Sequence, residues 1–226
     1  MNNTFEEKII SLLNKLGIKL INKETVAVFA QALTHTSYSN EHKNCPNYQY
    51  LEFLGDALIQ YVVTKEIFFQ YKHLDEGKAS KLRSSLVNRK ILAQLATSLG
   101  IIDCIRYAKK SFNNGQNEKI VSDFFESFVA AIYITQGEKA MIEFIAIHLF
   151  PFIEEFIDND LRDPKSEFQE YIQSYKNTTI TYSNKPYNNG FESTLIVDGQ
   201  IYGVGFGNSK KEAEKQAAQD ALNKLK

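Results

Sequence analysis

The segment YLEFLGDALIQY, Tyr50 to Tyr61, places Glu52 and Asp56 one helical turn apart inside an otherwise apolar run. Charged residues at i and i+4 share a helix face. Leu51, Phe53, Leu54, Ala57, Leu58, Tyr61, Val62 and Val63 fill most of the remaining directions. The pattern predicts a largely buried helix with a narrow acidic stripe, which Gln60 extends by one turn. Removing unpaired carboxylates from water is costly, so such a pair asks for a cation or a water-filled cleft. No Lys or Arg lies within a turn of the pair along the chain.

The pattern recurs in KIVSDFFESFVAAIY, where Asp123 and Glu126 stand at i and i+3 between Val121, Phe124, Phe125, Phe128, Val129 and Ile132. If the two helices pack together, four carboxylates converge. An all-oxygen cluster of this kind suits a hard divalent ion such as Mg²⁺ or Mn²⁺.

From Phe5 to about Asp158 the chain reads as successive helices, punctuated at Gly17, Pro46, Gly77, Gly100, Gly115 and Gly137, with no convincing strand. The polar segment Asp158 to Glu167 contains a proline and reads as a linker, with a boundary near Leu161. Beyond it the pattern changes. Glu167 to Tyr175 reads as a helix; Thr178 to Tyr182, Phe191 to Val197 and Ile201 to Phe206 read as strands. Asp198-Gly199 is a hairpin signal. Ser209 precedes a last helix whose buried face is expected to hold Ala213, Ala217, Ala218, Ala221, Leu222 and Leu225. The glycines of GVGFGNSKK lack the spacing of a phosphate loop and are read as permitting a tight strand end and turn.

Composition narrows the function classes. With a net charge of -1 the chain is not an indiscriminate polyanion binder. From Arg162 onward 9 basic residues face 8 acidic ones, so any nucleic-acid contact is local. Cys45 and Cys104 are far apart, with no ligand spacing, so neither a zinc site nor a disulfide framework is expected. His35, His42, His73 and His148 are scattered, and none is assigned to catalysis. The lack of Glu-x-x-His motifs sets aside a helical di-metal oxidase. No long apolar stretch occurs and the N-terminal segment is amphipathic, so a soluble, cytoplasmic protein without membrane contact is expected.

Three separated segments, ALTHTSY (Ala32 to Tyr38), YLEFLGDALI (Tyr50 to Ile59) and KLRSSLVN (Lys81 to Asn88), precede the Asp123 and Glu126 helix. In this order they resemble bacterial ribonuclease III, the double-stranded-RNA endonuclease, over nearly the whole chain. The resemblance implies an α+β multidomain protein: an all-helical ribonuclease III domain at 4–140, a helical extension and linker at 141–161, and an α-β-β-β-α double-stranded-RNA-binding domain at 162–226. It also implies a homodimer, with Glu52, Asp123 and Glu126 as metal ligands and Asp56 and Glu126 as catalytic groups, Asp56 serving as ligand or water-orienting base. Bound Mg²⁺, or Mn²⁺ as a substitute, would activate water for in-line attack on double-stranded RNA, leaving 5′-phosphate and 3′-hydroxyl ends in rRNA and mRNA precursor processing.

The similarity further places Gln169, Glu170, Tyr187, Lys210 and Lys211 at RNA-contacting positions. Gln49 and Tyr50 stand where an acidic and a basic residue are frequent in the family. Asn184-Lys185-Pro186-Tyr187 replaces a Gly-Pro-x-His element expected in the loop between the first strands, and Glu214 stands where a third Lys is frequent.

Overall fold

Capping side chains set the helix ends of the first half of the molecule. In the computed structural model, which describes residues 4–108, 117–157, 163–173 and 178–225, Thr4 and Glu7 form a reciprocal capping box at α1, Phe5–Lys15. Asn22 caps α2, Lys23–Ala32, and His35 caps the short α3, Thr36–Glu41. The signature segment lies in α4, Gln49–Gln70. Asp75 caps α5, Glu76–Leu86; Asn88 caps α6, Arg89–Leu99; Asn117 caps α7, Glu118–Gln136. Two further helices follow, α8 at Glu138–His148 and α9 at Pro151–Phe156. Between α6 and α7 a single 3₁₀ turn, Ile102–Cys104, leads to an isolated parallel bridge between Thr34 and Arg106.

The chain divides into two compact units, Met1–Ile153 and Glu154–Lys226. The boundary expected near Leu161 lies outside the described residues. The stretch 141–161 begins inside α8, where Met141, Phe144 and Ile145 are buried in the first unit.

The hub of the first unit is α7. Between Val121 and Ile132 every residue but Glu126 is buried, because α2, α4, α6 and α8 all pack against it. Phe29 of α2 and Phe144 of α8 meet Phe128 with ring centroids 4.9 and 5.9 Å apart. Aromatic burial of this extent supplies much of the driving force for assembling the helices.

One expectation for α4 is overturned. The helix buries a single stripe, Leu51, Gly55, Ile59, Val62, Val63 and Ile67. Its opposite side exposes Tyr50, Phe53 and Tyr61 at 79%, 72% and 50%. Apolar composition records that a face is to be covered, but not whether the same chain covers it.

The second unit has the expected element order: α10, Pro164–Gln173; β1, Ile180–Tyr187; β2, Gly190–Val197; β3, Gln200–Gly207; and α11, Lys210–Leu225. The strands form an antiparallel sheet in the order β1-β2-β3. Asp198 and Gly199 both take positive φ, +48° and +82°, as the tight primed turn of the β2–β3 hairpin requires. Phe168, Ile172, Leu195, Val197 and the alanines of α11 make its core.

Three sequence expectations change here. Asn184 to Tyr187 form the end of β1, paired with Ser193 to Gly190, instead of a loop. Pro186 is tolerated because β1 is an edge strand. Gly203, Gly205 and Gly207 lie within β3 and serve close packing: a Cβ on Gly203 or Gly205 would collide with the backbone of Ala217, and one on Gly207 would come within 2.7 Å of Ala213 N. Leu225, at the end of α11, is exposed rather than part of the buried face.

Candidate metal centre

Gly55 is the residue that lets α4 and α7 approach closely enough to bring their carboxylates together. A Cβ on Gly55 would run into the backbone carbonyl of Glu126, so only glycine fits against α7 at this crossing. Glu52 lies one turn before Gly55, and Asp123 one turn before Glu126, so the contact sets both acidic pairs side by side.

Glu52, Asp123 and Glu126 each offer a carboxylate oxygen within 4.8 Å of the other two. Asp56 is exposed, and Gln60 Nε2 donates to its Oδ1 at 2.9 Å. The structure thus gathers three of the four sequence-derived carboxylates into one cluster, with Asp56 at its edge. Burial, followed by the charges of Asp56, Asp123 and Glu52, pushes the Glu126 carboxyl up to about 8. Burial and then the Asp123 charge raise Glu52, and burial raises Asp123.

Repulsion among partly buried carboxylates is the condition that a bound cation relieves. The donor set is all oxygen, which fits a hard divalent ion and excludes a thiolate-type zinc site. Basic groups temper the field without pairing the cluster away. Lys119 lowers Glu52 and Asp123, and Arg89 lowers Asp123 and Glu126. These cations come from the starts of α7 and α6. Lys119 lies four residues before Asp123 and was legible as a helical neighbour; Arg89 is brought in by tertiary packing alone.

Sequence reasoning also missed Tyr48. Its side chain is 5% exposed, and its hydroxyl donates a long hydrogen bond to Asp123 Oδ2 at 3.5 Å. Burial and the charges of Asp123 and Glu52 raise its pKa, so the hydroxyl remains a donor. The ALTHTSY segment holds this residue in place. Tyr48 N donates to Thr34 O at 3.0 Å, His35 stacks on the Tyr48 ring at 5.8 Å, and Ser127 Oγ of α7 donates to Ala32 O at 2.8 Å. Arg106 fixes the other side through Thr34 Oγ1, at 2.9 Å from Nη2. Burial lowers the pKa of His35, which serves as a neutral scaffold residue.

A family model described as Ribonuclease-III-like matches residues 26–153, and one described as Double-stranded RNA binding motif matches residues 164–225. The chain belongs to the ribonuclease III family. It is 41% identical to Ribonuclease 3 of Mycoplasma mobile over 97% of this chain and 91% of that protein. It is 40% identical to Ribonuclease 3 of Mesoplasma florum over 93% of this chain and 94% of the relative. Among solved structures, the ribonuclease III nuclease domain from Campylobacter jejuni superposes with a TM-score of 0.54 at 34% identity, covering 63% of this chain and 99% of that one. As a family member with both modules, the chain is an endoribonuclease with a double-stranded-RNA-binding domain.

The remaining candidate residues lie in the second unit. Gln169 and Glu170 are exposed on α10, and Lys210 and Lys211 are exposed in the first turn of α11. Tyr187 lies at the end of β1 with its ring 5.0 Å from that of Phe206. No helix of the described residues is long and apolar enough to cross a membrane.

Proposed function

We propose that this chain hydrolyses double-stranded RNA endonucleolytically, as a divalent-metal-dependent homodimer, leaving 5′-phosphate and 3′-hydroxyl ends. The observation that carries the reading is the convergence of Glu52, Asp123 and Glu126 at the α4–α7 crossing. These three would hold Mg²⁺, with Mn²⁺ as a substitute. When bound, the ion supplies an activated water and neutralises charge on the leaving 3′-oxygen.

The chain's own groups have separable parts. Glu126, protonated in much of the metal-free protein near neutral pH, gives up that proton as the site fills. Asp56, exposed and oriented by Gln60, is placed to orient a water or take its proton. Tyr48 keeps the Asp123 carboxylate turned toward its neighbours. In the second unit, Lys210 and Lys211, in the first turn of α11, receive phosphates at the positive end of that helix, while Gln169, Glu170 and Tyr187 contact the duplex from α10 and β1.

Dimerisation through the exposed face of α4 accounts for Tyr50 and Phe53, which no described residue of the first unit covers. The Campylobacter jejuni nuclease domain has a structurally flexible region involved in its own dimer formation, which supports a dimer of this chain as well. The work of the enzyme falls to a nuclease domain at 4–140, a connecting stretch at 141–161 and an RNA-binding domain at 162–226. Its natural substrates are ribosomal and messenger RNA precursors in the cytoplasm.

The test is incubation of a long perfect RNA duplex with purified protein in Mg²⁺ and in EDTA, followed by analysis of the new 5′ ends. Metal-dependent products that accept labelled phosphate only after phosphatase treatment are expected. Duplex binding without cleavage, in Mg²⁺ and Mn²⁺ alike, would make the chain an RNA-binding scaffold instead.

A further inference from the structure

The N-terminal turns of α11 carry a carboxylate among the cations. Glu214 lies one turn after Lys210, on the same side of the helix. Both of its oxygens are engaged. Lys165 Nζ of α10 lies 2.6 Å from Oε2, and Asn184 Nδ2 of β1 donates to Oε1 at 2.6 Å. The same Lys165 ammonium sits 4.5 Å above the Tyr182 ring. The hydrogen bond from Lys165 is the chief cause holding the Glu214 carboxyl below its usual range, so the group is ionised at neutral pH.

Neighbouring cations are spoken for as well. Lys215 pairs with Asp163 at 3.4 Å and Lys185 with Glu192 at 2.8 Å. A lysine held in an ion pair neutralises no phosphate, and so displaces none of the counterions condensed on the RNA, until that pair opens. The exposed Lys210 and Lys211 therefore work beside a fixed negative charge.

We infer that Glu214 restrains the affinity of this chain for duplex RNA, by holding Lys165 in an internal ion pair and placing a negative charge beside Lys210. The inference rests on the proposal that the first turns of α11 receive RNA phosphates. Glu214 also ties α10 and β1 to α11, so part of the RNA-binding strength is given up for attachment among these elements. Neutralising the carboxylate frees Lys165 as an additional phosphate contact.

The experiment measures binding of a short RNA duplex by the full chain in EDTA, with the RNA checked for integrity, across a series of salt concentrations. Glu214→Gln keeps an acceptor for Asn184 and is expected to tighten binding about threefold to tenfold near ~0.15 M salt. The slope of log K against log salt should steepen by roughly 0.9, the value for one more phosphate contact. Glu214→Lys should steepen it further. Adding Lys165→Gln to Glu214→Gln should remove the extra salt slope and return most of the gain, leaving only the part due to the charge lost beside Lys210.

Thermal unfolding verifies that each variant is folded, and Glu214→Lys decides the matter if Glu214→Gln is not. A folded Glu214 variant with unchanged or weaker binding and an unaltered slope overturns the inference. Lys210→Ala with Lys211→Ala is the separate control on the RNA face. If that double variant binds as tightly as the wild type, the face itself is wrongly assigned and both readings fall. If it weakens binding while the Glu214 variants do nothing, only the restraint by Glu214 is wrong.

Discussion

Gly55 in α4 lies directly against the backbone carbonyl of Glu126 in α7, with no space for a side-chain carbon. This one contact sets the distance between two helices that each carry a carboxylate pair, and so couples the packing of the first unit to its candidate metal site. Gly55→Ala should lower stability by about 1–3 kcal/mol, as over-packing in a close-packed interior does. It should also reduce cleavage at fixed Mg²⁺ by more than the loss of folded protein accounts for. Urea unfolding and a cleavage assay on the same preparation separate the two effects.

Tyr48→Phe removes only the hydroxyl that reaches Asp123. Loss of a long hydrogen bond to a charged acceptor should cost about 0.5–1.5 kcal/mol. The Mg²⁺ concentration for half-maximal cleavage should rise severalfold, with duplex affinity in EDTA unchanged. Direct Mn²⁺ titration reads the same change without catalysis. An unaltered metal requirement would reduce Tyr48 to a core residue.

The raised pKa of Glu126 predicts how metal-free stability depends on pH. With a folded value of about 8, above the ordinary glutamate value of 4.5, the folded state holds this proton where the unfolded state has lost it. The contribution is fully present below about pH 4.5 and is lost as pH rises through about 8. In EDTA, Glu126→Gln should therefore be more stable than wild type at pH 8 by about 1–2 kcal/mol, below the full conversion of ~1.4 kcal/mol per pKa unit because the side chain is partly solvated. The difference should shrink toward pH 5. Urea unfolding at the two pH values checks it; a wild type that is the more stable at pH 8 would refute the assignment.

Phe53 is 72% exposed in the single chain. Phe53→Glu should leave the monomer's fold intact, as judged by circular dichroism, while shifting sedimentation from dimer to monomer. Cleavage should fall at least tenfold. A wild-type protein that sediments as a monomer at micromolar concentration would remove dimerisation from the account.

Much of this architecture was legible in the sequence because local chemistry and tertiary structure agree. Thr4 with Glu7, and Ser209 with Glu212, are capping signatures whose partners lie three residues away. Asp198-Gly199 supplies both positive φ angles of its turn. The carboxylate cluster was legible because acidic residues on apolar helices demand a reason.

What could not be read depends on contacts between distant segments. Arg89 approaches Asp123 and Glu126 from another helix, and the importance of Gly55 exists only against Glu126. The glycines of β3 were misread for the same cause: their function is defined by the alanines of α11, which lie beyond the strand. The face of α4 that bears Phe53 reads as buried in the sequence, but hydrophobicity does not name the surface that covers it.

The carboxylate cluster is tested most directly by comparing wild type with Glu126→Gln for Mn²⁺ binding by calorimetry and for cleavage of a long RNA duplex, with duplex binding in EDTA as the control. The substitution should weaken metal binding at least tenfold and abolish cleavage while duplex affinity is retained. Cleavage at the wild-type rate, or wild-type Mn²⁺ affinity, in the folded variant would contradict it.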